Sequence, residues 1–155
     1  MMDAEIGAGT RVMLIDDDRV GLESLSRALG KLGCDVSGFE SPSAALGYCG
    51  RGEFDLVLTD LCMPGMNGIE LMREIHDRDP GLRVVVISGS GDDSWRGKAM
   101  DSGAYGVIGK PLSLGDLRRI LSDINTNGLR TDSNGIHSGG GGRNINSERL
   151  TVWMR

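Results

Sequence analysis

Phe54-Asp55-Leu56-Val57-Leu58-Thr59 is a short apolar run, rich in β-formers, that stops abruptly at a carboxylate, Asp60. A Pro/Gly-punctuated loop, Leu61-Cys62-Met63-Pro64-Gly65-Met66-Asn67-Gly68, then leads into an amphipathic stretch. Near-continuous apolar runs of this length are characteristic of strands buried on both faces, as in parallel sheets covered by crossover helices. Ligands of open α/β sheets gather beyond the carboxyl ends of the strands, and Asp60 stands at such an end.

The rest of the chain repeats the pattern. Val12-Met13-Leu14-Ile15 is an apolar strand that runs into Asp16-Asp17-Asp18. Leu22, Leu25, Leu29 and Leu32 follow at helical spacing, and Gly33 is placed to end that helix. Cys34 to Phe39 reads as a second, weaker strand. Ser41-Pro42 then opens a short helix that Gly50 to Gly52 break. Gly68 starts a third helix with Ile69, Leu71, Met72 and Ile75 on its apolar side, ended by Pro80-Gly81. Val84 to Ile87 is the clearest buried strand, and it finishes in Ser88-Gly89. Asp93 to Ser102 predicts a weak helix, because Gly97 lowers its propensity. Tyr105 to Ile108 is a fifth strand, followed by Lys110-Pro111. Ser113 and Asp116 form a capping-box pattern ahead of a last helix, with Leu114, Leu117, Leu121 and Ile124 as its buried face. Five strands alternating with five helices imply an α/β, doubly wound parallel sheet with both faces covered.

These spans divide the 155 residues into a loose leader (1–10), one folded domain (11–124) and a Gly/Ser/Asn-rich tail (125–155). The tail's composition, with four glycines at 139–142, is that of a segment too polar to order itself, although Leu150, Val152, Trp153 and Met154 cluster near its end. A net charge of -5 and the lack of a basic run argue against nucleic-acid binding and anionic membranes. Cys34, Cys49 and Cys62 have neither metal spacing nor an even count, so a reducing, cytoplasmic setting is expected. No 18-residue apolar span or signal sequence is present, and no membrane insertion is expected.

In a parallel sheet the strand ends share one edge. That edge collects Asp16 and Asp17 from the first strand, Asp60 from the third, Ser88 from the fourth and Lys110 from just past the fifth. Two carboxylates ~5 Å apart repel by roughly 3 kcal/mol at an effective dielectric of 20. A divalent cation would offset this, and oxygen-only ligands favour Mg2+ or Mn2+ over zinc. Lys110 adds positive charge, and the Ser88 hydroxyl is suited to donate to a phosphoryl oxygen. The inventory suits phosphoryl transfer, with an aspartate as the nucleophile.

The residues Asp16-Asp17, Asp60 to Gly68, Ser88-Gly89 and Lys110-Pro111, in this order, resemble a receiver domain of bacterial two-component response regulators, of the stand-alone type. The similarity covers residues 11 to about 124. It implies a flavodoxin-like fold of strand order 2-1-3-4-5. It also implies phosphorylation of Asp60 by a sensor histidine kinase or a histidine phosphotransfer protein, with a downstream protein target. By the resemblance, Asp17 and Asp60 ligate magnesium through carboxylates, Cys62 through its main-chain carbonyl and Asp16 through water. Lys110 pairs with Asp60 and then with the phosphoryl group, and Ser88 is the switch hydroxyl. Such a domain catalyses its own phosphorylation from a phosphohistidine donor and its own dephosphorylation.

One position departs from the family pattern. Receivers usually carry Tyr or Phe three residues before the lysine, and here that residue is Val107; Tyr105, five before, is not its substitute. A reduced or different conformational response is therefore expected. Trp95 lies among Asp, Ser, Arg and Lys, which predicts partial exposure and makes it a candidate interface anchor. Gly89 would leave the acceptor site open. Two other functions compete: a small Mg-dependent phosphohydrolase, opposed by Cys62 where one such superfamily has an acid/base aspartate, and a phosphorylation-independent interaction module, opposed by the joint presence of acidic pair, acceptor and lysine.

Overall fold

The computed structural model describes residues 6–89 and 94–126. Among these residues, five strands alternate with five helices: β1 (Arg11–Ile15), α1 (Arg19–Lys31), β2 (Asp35–Phe39), α2 (Pro42–Leu46), β3 (Leu56–Asp60), α3 (Gly68–Arg78), β4 (Arg83–Ser88), α4 (Ser94–Asp101), β5 (Gly106–Gly109) and α5 (Leu114–Thr126). The strands form one sheet in the order β2-β1-β3-β4-β5, every pairing parallel. The expected doubly wound architecture and strand order are those of the molecule.

Side-chain alternation along the strands builds two cores. Met13, Ile15, Val57, Val84, Val86 and Val107 face the layer of α2, α3 and α4. Val12, Leu14, Leu56, Leu58, Val85 and Ile87 face α1 and α5. Because both faces are covered, the central strands carry no polar alternation, which is why they read as continuous apolar runs.

Local sequence explains the helix ends. Asp18 caps α1 by accepting from the Val20 N–H. Gly33, at φ +95°, closes that helix: its N–H bonds the Gly30 carbonyl, and the Cys34 N–H reaches back to Leu29. This is the pairing of a Schellman motif. Pro42 takes the first position of α2 as expected, but Ser41 makes no side-chain cap there. At α5 the capping box is reciprocal: Asp116 accepts from the Ser113 N–H at 2.9 Å, and the Ser113 hydroxyl accepts from the Asp116 N–H at 3.1 Å.

Several boundaries differ from the sequence expectation. Ile6–Thr10, read as leader, packs on the domain: the Gly7 N–H donates to the Leu32 carbonyl, Ile6 joins the α1/α5 core, and Thr10 is buried. Asn125 and Thr126, assigned to the tail, belong to α5. The rest of the leader and tail, residues 1–5 and 127–155, lie outside the described residues. Leu114 is exposed on the first turn of α5, and Ile120 completes its buried face. No helix of the described residues is long and apolar enough to cross a membrane.

Candidate functional site

The carboxyl edge of the sheet gathers the polar residues expected there. Asp16 follows β1 directly and is almost buried, with its N–H donating to the Phe39 carbonyl of β2. One of its carboxylate oxygens accepts from the Asp18 N–H at 2.9 Å, which folds the acidic turn back over the strand end. Asp60 is the last residue of β3, and its Oδ1 accepts from the Leu61 N–H at 3.0 Å. Asp16, Asp17 and Asp60 each offer an oxygen within 4.8 Å of the others. That donor set is all hard oxygen, which fits Mg2+ or Mn2+.

Lys110 is the counter-charge. Its Nζ lies 3.3 Å from Asp60 Oδ1 and 3.9 Å from Asp16 Oδ2. Its position is set by the sheet, because Ser88 pairs with Gly109 and the Lys110 N–H donates to the Ser88 carbonyl at 2.8 Å. The Ser88 side chain is buried at the end of β4, one register step beyond the Asp60–Ile87 pair. Cys62, expected to offer its carbonyl, sits in the exposed turn after β3. Gly89 lines the groove at the site, and a Cβ there would meet only Lys110, at 3.8 Å.

The pKa of Asp16 is raised above the ordinary carboxylate value. Burial is the main cause, opposed by the Asp18 N–H; the Asp60 charge raises it further, and Lys110 offsets part of that. Bringing the carboxylates together thus has an electrostatic cost that a bound cation would relieve.

Two glycines shape the site: Gly68, expected as the start of the third helix, and Gly21, which the sequence reading passed over. A Cβ on Gly68 would stand 2.5 Å from the Asp60 carbonyl oxygen and 3.1 Å from Leu61 Cα. The Gly68 N–H instead donates to the Leu61 carbonyl at 2.7 Å, so α3 starts in contact with the backbone at the end of β3. Asn67 caps that helix, accepting from the Glu70 N–H at 2.9 Å. On the other side, a Cβ on Gly21 would press on Asp16 Oδ2 at 3.1 Å. The sequence signal for both was a helical glycine at N1 or in the first turn of an element beside the site.

Two expectations need correction or refinement. Trp95 is not partly exposed: it is 7 % accessible and packs in the α2/α3/α4 core, so the exposure that suggested an interface anchor is absent. Trp95 and Ala99 lie one helical turn apart and both face inward, a signal the polar neighbours outweighed on reading. Val107 is wholly buried in the same core, paired with Val86. Tyr105 belongs to the opposite core side, where its hydroxyl donates to the Asp123 carboxylate and its ring lies 5.5 Å from the Arg83 guanidinium. It does not stand in for an aromatic at 107. The three cysteines are free thiols, and burial pushes that of Cys34 up to about 11.

Comparison with known proteins agrees with this geometry. Over 108 residues the chain is 36 % identical to the C4-dicarboxylate transport transcriptional regulatory protein DctD of Rhizobium meliloti (strain 1021), covering 70 % of this chain and 24 % of that protein. It is 32 % identical over 110 residues to the DNA-binding transcriptional regulator NtrC of Azospirillum brasilense, covering 71 % of this chain and 23 % of the relative. The chain therefore spans about a quarter of the length of these curated relatives. Among solved structures, a response regulator receiver domain protein from Clostridium thermocellum matches with TM-score 0.72 at 27 % identity, over 76 % of this chain and 95 % of that one. A CheY-like receiver domain protein from Methanospirillum hungatei JF-1 matches with TM-score 0.69 at 26 % identity, over 77 % and 98 %. The family description "Response regulator receiver domain" matches residues 12–122, and the chain belongs to that family.

Proposed function

We propose that this receiver domain accepts a phosphoryl group on Asp60 from the phosphohistidine of a sensor kinase or histidine phosphotransfer protein, and that the modification switches its contacts with a downstream protein. The observation that carries the reading is the convergence of Asp16, Asp17 and Asp60 on one point, with Lys110 Nζ 3.3 Å from Asp60. In the transfer, the free oxygen of Asp60 attacks phosphorus. A P–O bond forms, the P–N bond to the donor imidazole breaks, and the departing nitrogen takes up a proton.

The Leu61 N–H holds one Asp60 oxygen and thereby orients the other. Lys110 neutralises Asp60 before transfer and is within reach of the phosphoryl oxygens after it. Ser88, at the neighbouring strand end, is the hydroxyl assigned to the modified state. Asp17, Asp60 and the Cys62 carbonyl would hold Mg2+ (or Mn2+), and Asp16 would act through a bound water. The cation would supply positive charge to the phosphoryl oxygens as the transition state forms. The same residues would serve the reverse attack by water. A cytoplasmic setting goes with this donor class and with an exposed free thiol at Cys62.

Val107 modifies the expected output. With a small, wholly buried side chain at that place, the response is smaller than, or different from, that of relatives with an aromatic there. Amide shifts on adding a phosphoryl mimic would stay near the Asp60 pocket, whereas changes across α5 as large as in aromatic-bearing relatives would sink this part.

The acceptor assignment is tested by incubating the chain with acetyl phosphate and Mg2+ and measuring intact mass. One added phosphoryl group, lost in Asp60→Asn, is the expected result. No modification, or modification that persists in Asp60→Asn, overturns it. Turnover of a generic phosphomonoester would point to the phosphohydrolase instead.

A further inference from the structure

The third aspartate of the acidic turn lies outside the cluster of Asp16, Asp17 and Asp60. Asp18 is instead tied to α1. Its Oδ1 accepts from the Val20 N–H at 3.2 Å, and its carbonyl accepts from the Leu22 N–H at 2.9 Å. Its own N–H donates to Asp16 Oδ1 at 2.9 Å. Asp18 is therefore held from the residues on both sides of Gly21, and it in turn holds Asp16. Asp16 is also fixed through its backbone, because its N–H donates to the Phe39 carbonyl at 3.1 Å. Its second oxygen, Oδ2, faces the site, 3.9 Å from the Lys110 Nζ that lies 3.3 Å from Asp60 Oδ1.

Gly21 stands on the first turn of α1 and lines the groove between α1 and α5, beside Asp16 and Asp60. An ideal Cβ there would lie 3.1 Å from Asp16 Oδ2 and 3.2 Å from Asp18 Oδ2, inside the 3.4 Å at which ordinary contact begins. Neither carboxylate can turn away without loss. Turning Asp18 breaks the cap of α1, and turning Asp16 draws its Oδ1 off the Asp18 N–H. Gly30, on the same helix, has nothing within 4 Å of its ideal Cβ. Glycine weakens a helix at either place, but only at 21 does the molecule use the space it leaves.

We propose that Gly21 is a positioning residue for the cation of the acceptor site. The space left by its missing side chain lets Asp16 keep Oδ1 on the Asp18 N–H while Oδ2 stays turned to the Asp60–Lys110 side, where a hydrated Mg2+ would be held. This rests on the reading of the acidic cluster as a Mg2+ site and adds to it the residue that sets the aim of Asp16. Groups that orient the ligands of a metal, without binding it themselves, commonly change its affinity by 10-fold or more when altered.

The test titrates the unaltered chain, Gly21→Ala and Gly30→Ala with Mg2+ in amide-correlation NMR spectra. Alanine is the better helix former, so a glycine with only a structural role would leave Gly21→Ala as firmly folded as the unaltered chain, with the same Mg2+ affinity. Positioning instead predicts Mg2+ binding about 10-fold weaker in Gly21→Ala and unchanged in Gly30→Ala. It also predicts an upfield shift of the Asp18 amide proton in Gly21→Ala, as the bond to Asp16 lengthens. With acetyl phosphate, Gly21→Ala is expected to be modified more slowly at limiting Mg2+ and to approach the unaltered rate at saturating Mg2+. Affinity within about 2-fold of the unaltered chain overturns the proposal, as does an equal loss in Gly30→Ala or a rate deficit that saturating Mg2+ leaves untouched. Loss of folding in Gly21→Ala overturns it too, since the clash would then be carried by the helix and not by the turn. If the unaltered chain binds no Mg2+, the cation reading fails by itself. The Asp18 amide then decides the aim of Asp16: a shift in Gly21→Ala supports it, and an unmoved signal overturns it.

Discussion

Gly68 shows how one residue sets the geometry of the site. Any side chain there would collide with backbone rather than with a flexible neighbour, since the ideal Cβ falls 2.5 Å from the Asp60 carbonyl oxygen. Gly68→Ala is therefore expected to lower stability by about 1–3 kcal/mol, the usual cost of overpacking, as read from the urea midpoint. It should also slow acceptor modification, because α3 can relieve the clash only by moving away from Asp60. Unchanged stability and rate would show that the helix start is softer than this contact implies. Asp16 illustrates the opposite case, a residue whose native surroundings oppose its charge. Its folded pKa lies above the ordinary 3.8, so the folded state binds the proton more tightly than the unfolded chain. Folding stability therefore falls as pH rises from the ordinary carboxylate range through the folded pKa, and levels off above it. Asp16→Asn removes that penalty and is expected to raise the unfolding midpoint at neutral pH in EDTA, with a flatter acid limb. An unchanged midpoint would mean that Lys110 and the Asp18 N–H already balance the burial.

At the scale of elements, pairs that sequence reading treated as separate turn out to be coupled. Asp55, inside the apolar run before β3, is 2 % exposed, yet it carries a carboxylate. Arg11, at the start of β1, satisfies it through Nε at 3.1 Å, Nη2 at 3.0 Å and its own backbone N–H at 2.9 Å. A fourth bond ties Arg11 Nη1 to the Gly52 carbonyl. Arg11→Ala leaves a buried carboxylate with only the backbone donor and is expected to cost about 3 kcal/mol. Adding Asp55→Asn should recover part of the loss. If the single variant loses less than a third of that figure, water is reaching Asp55. The packing of α4 on β5 gives a further prediction. Val107 lies in the same core as Trp95, Ala99 and Ala104. Val107→Phe would overfill it, with an expected loss of about 1–3 kcal/mol in chemical denaturation. A neutral or stabilising result would reveal room for an aromatic beside Trp95.

For the whole molecule, the doubly wound topology turns five separate strand ends into one edge, and the site exists because of that edge. The carboxylates come from residues 44 positions apart in sequence, and Lys110 from 50 further on, yet Lys110 Nζ lies 3.3 Å from Asp60. A cation that binds only the folded acidic cluster must stabilise the fold by mass action. At a Mg2+ concentration ~100 times its dissociation constant the gain is about 2.7 kcal/mol. Thermal unfolding with graded Mg2+ is expected to show this rise in the unaltered chain and to lose most of it in Asp17→Asn or Asp60→Asn. A rise that both variants retain would place the cation elsewhere.

The alternation of strands and helices, the buried strands, the Gly33 stop, the capping box at Ser113 and the set of polar strand ends were all written in local sequence. Each depends on periodicity, on a propensity or on hydrogen bonds spanning a few residues. The clustering of Asp16, Asp17, Asp60 and Lys110 was legible for a related reason: parallel topology brings strand ends together without help from loop detail. Trp95 was misread because its neighbours describe the exposed side of α4, while its burial depends on what lies across from it. The Arg11–Asp55 pair, the demand for glycine at 68 and the groove between α1 and α5 are likewise distances between elements. Those distances are set by how two cores pack on one twisted sheet, and no local pattern in the chain encodes them.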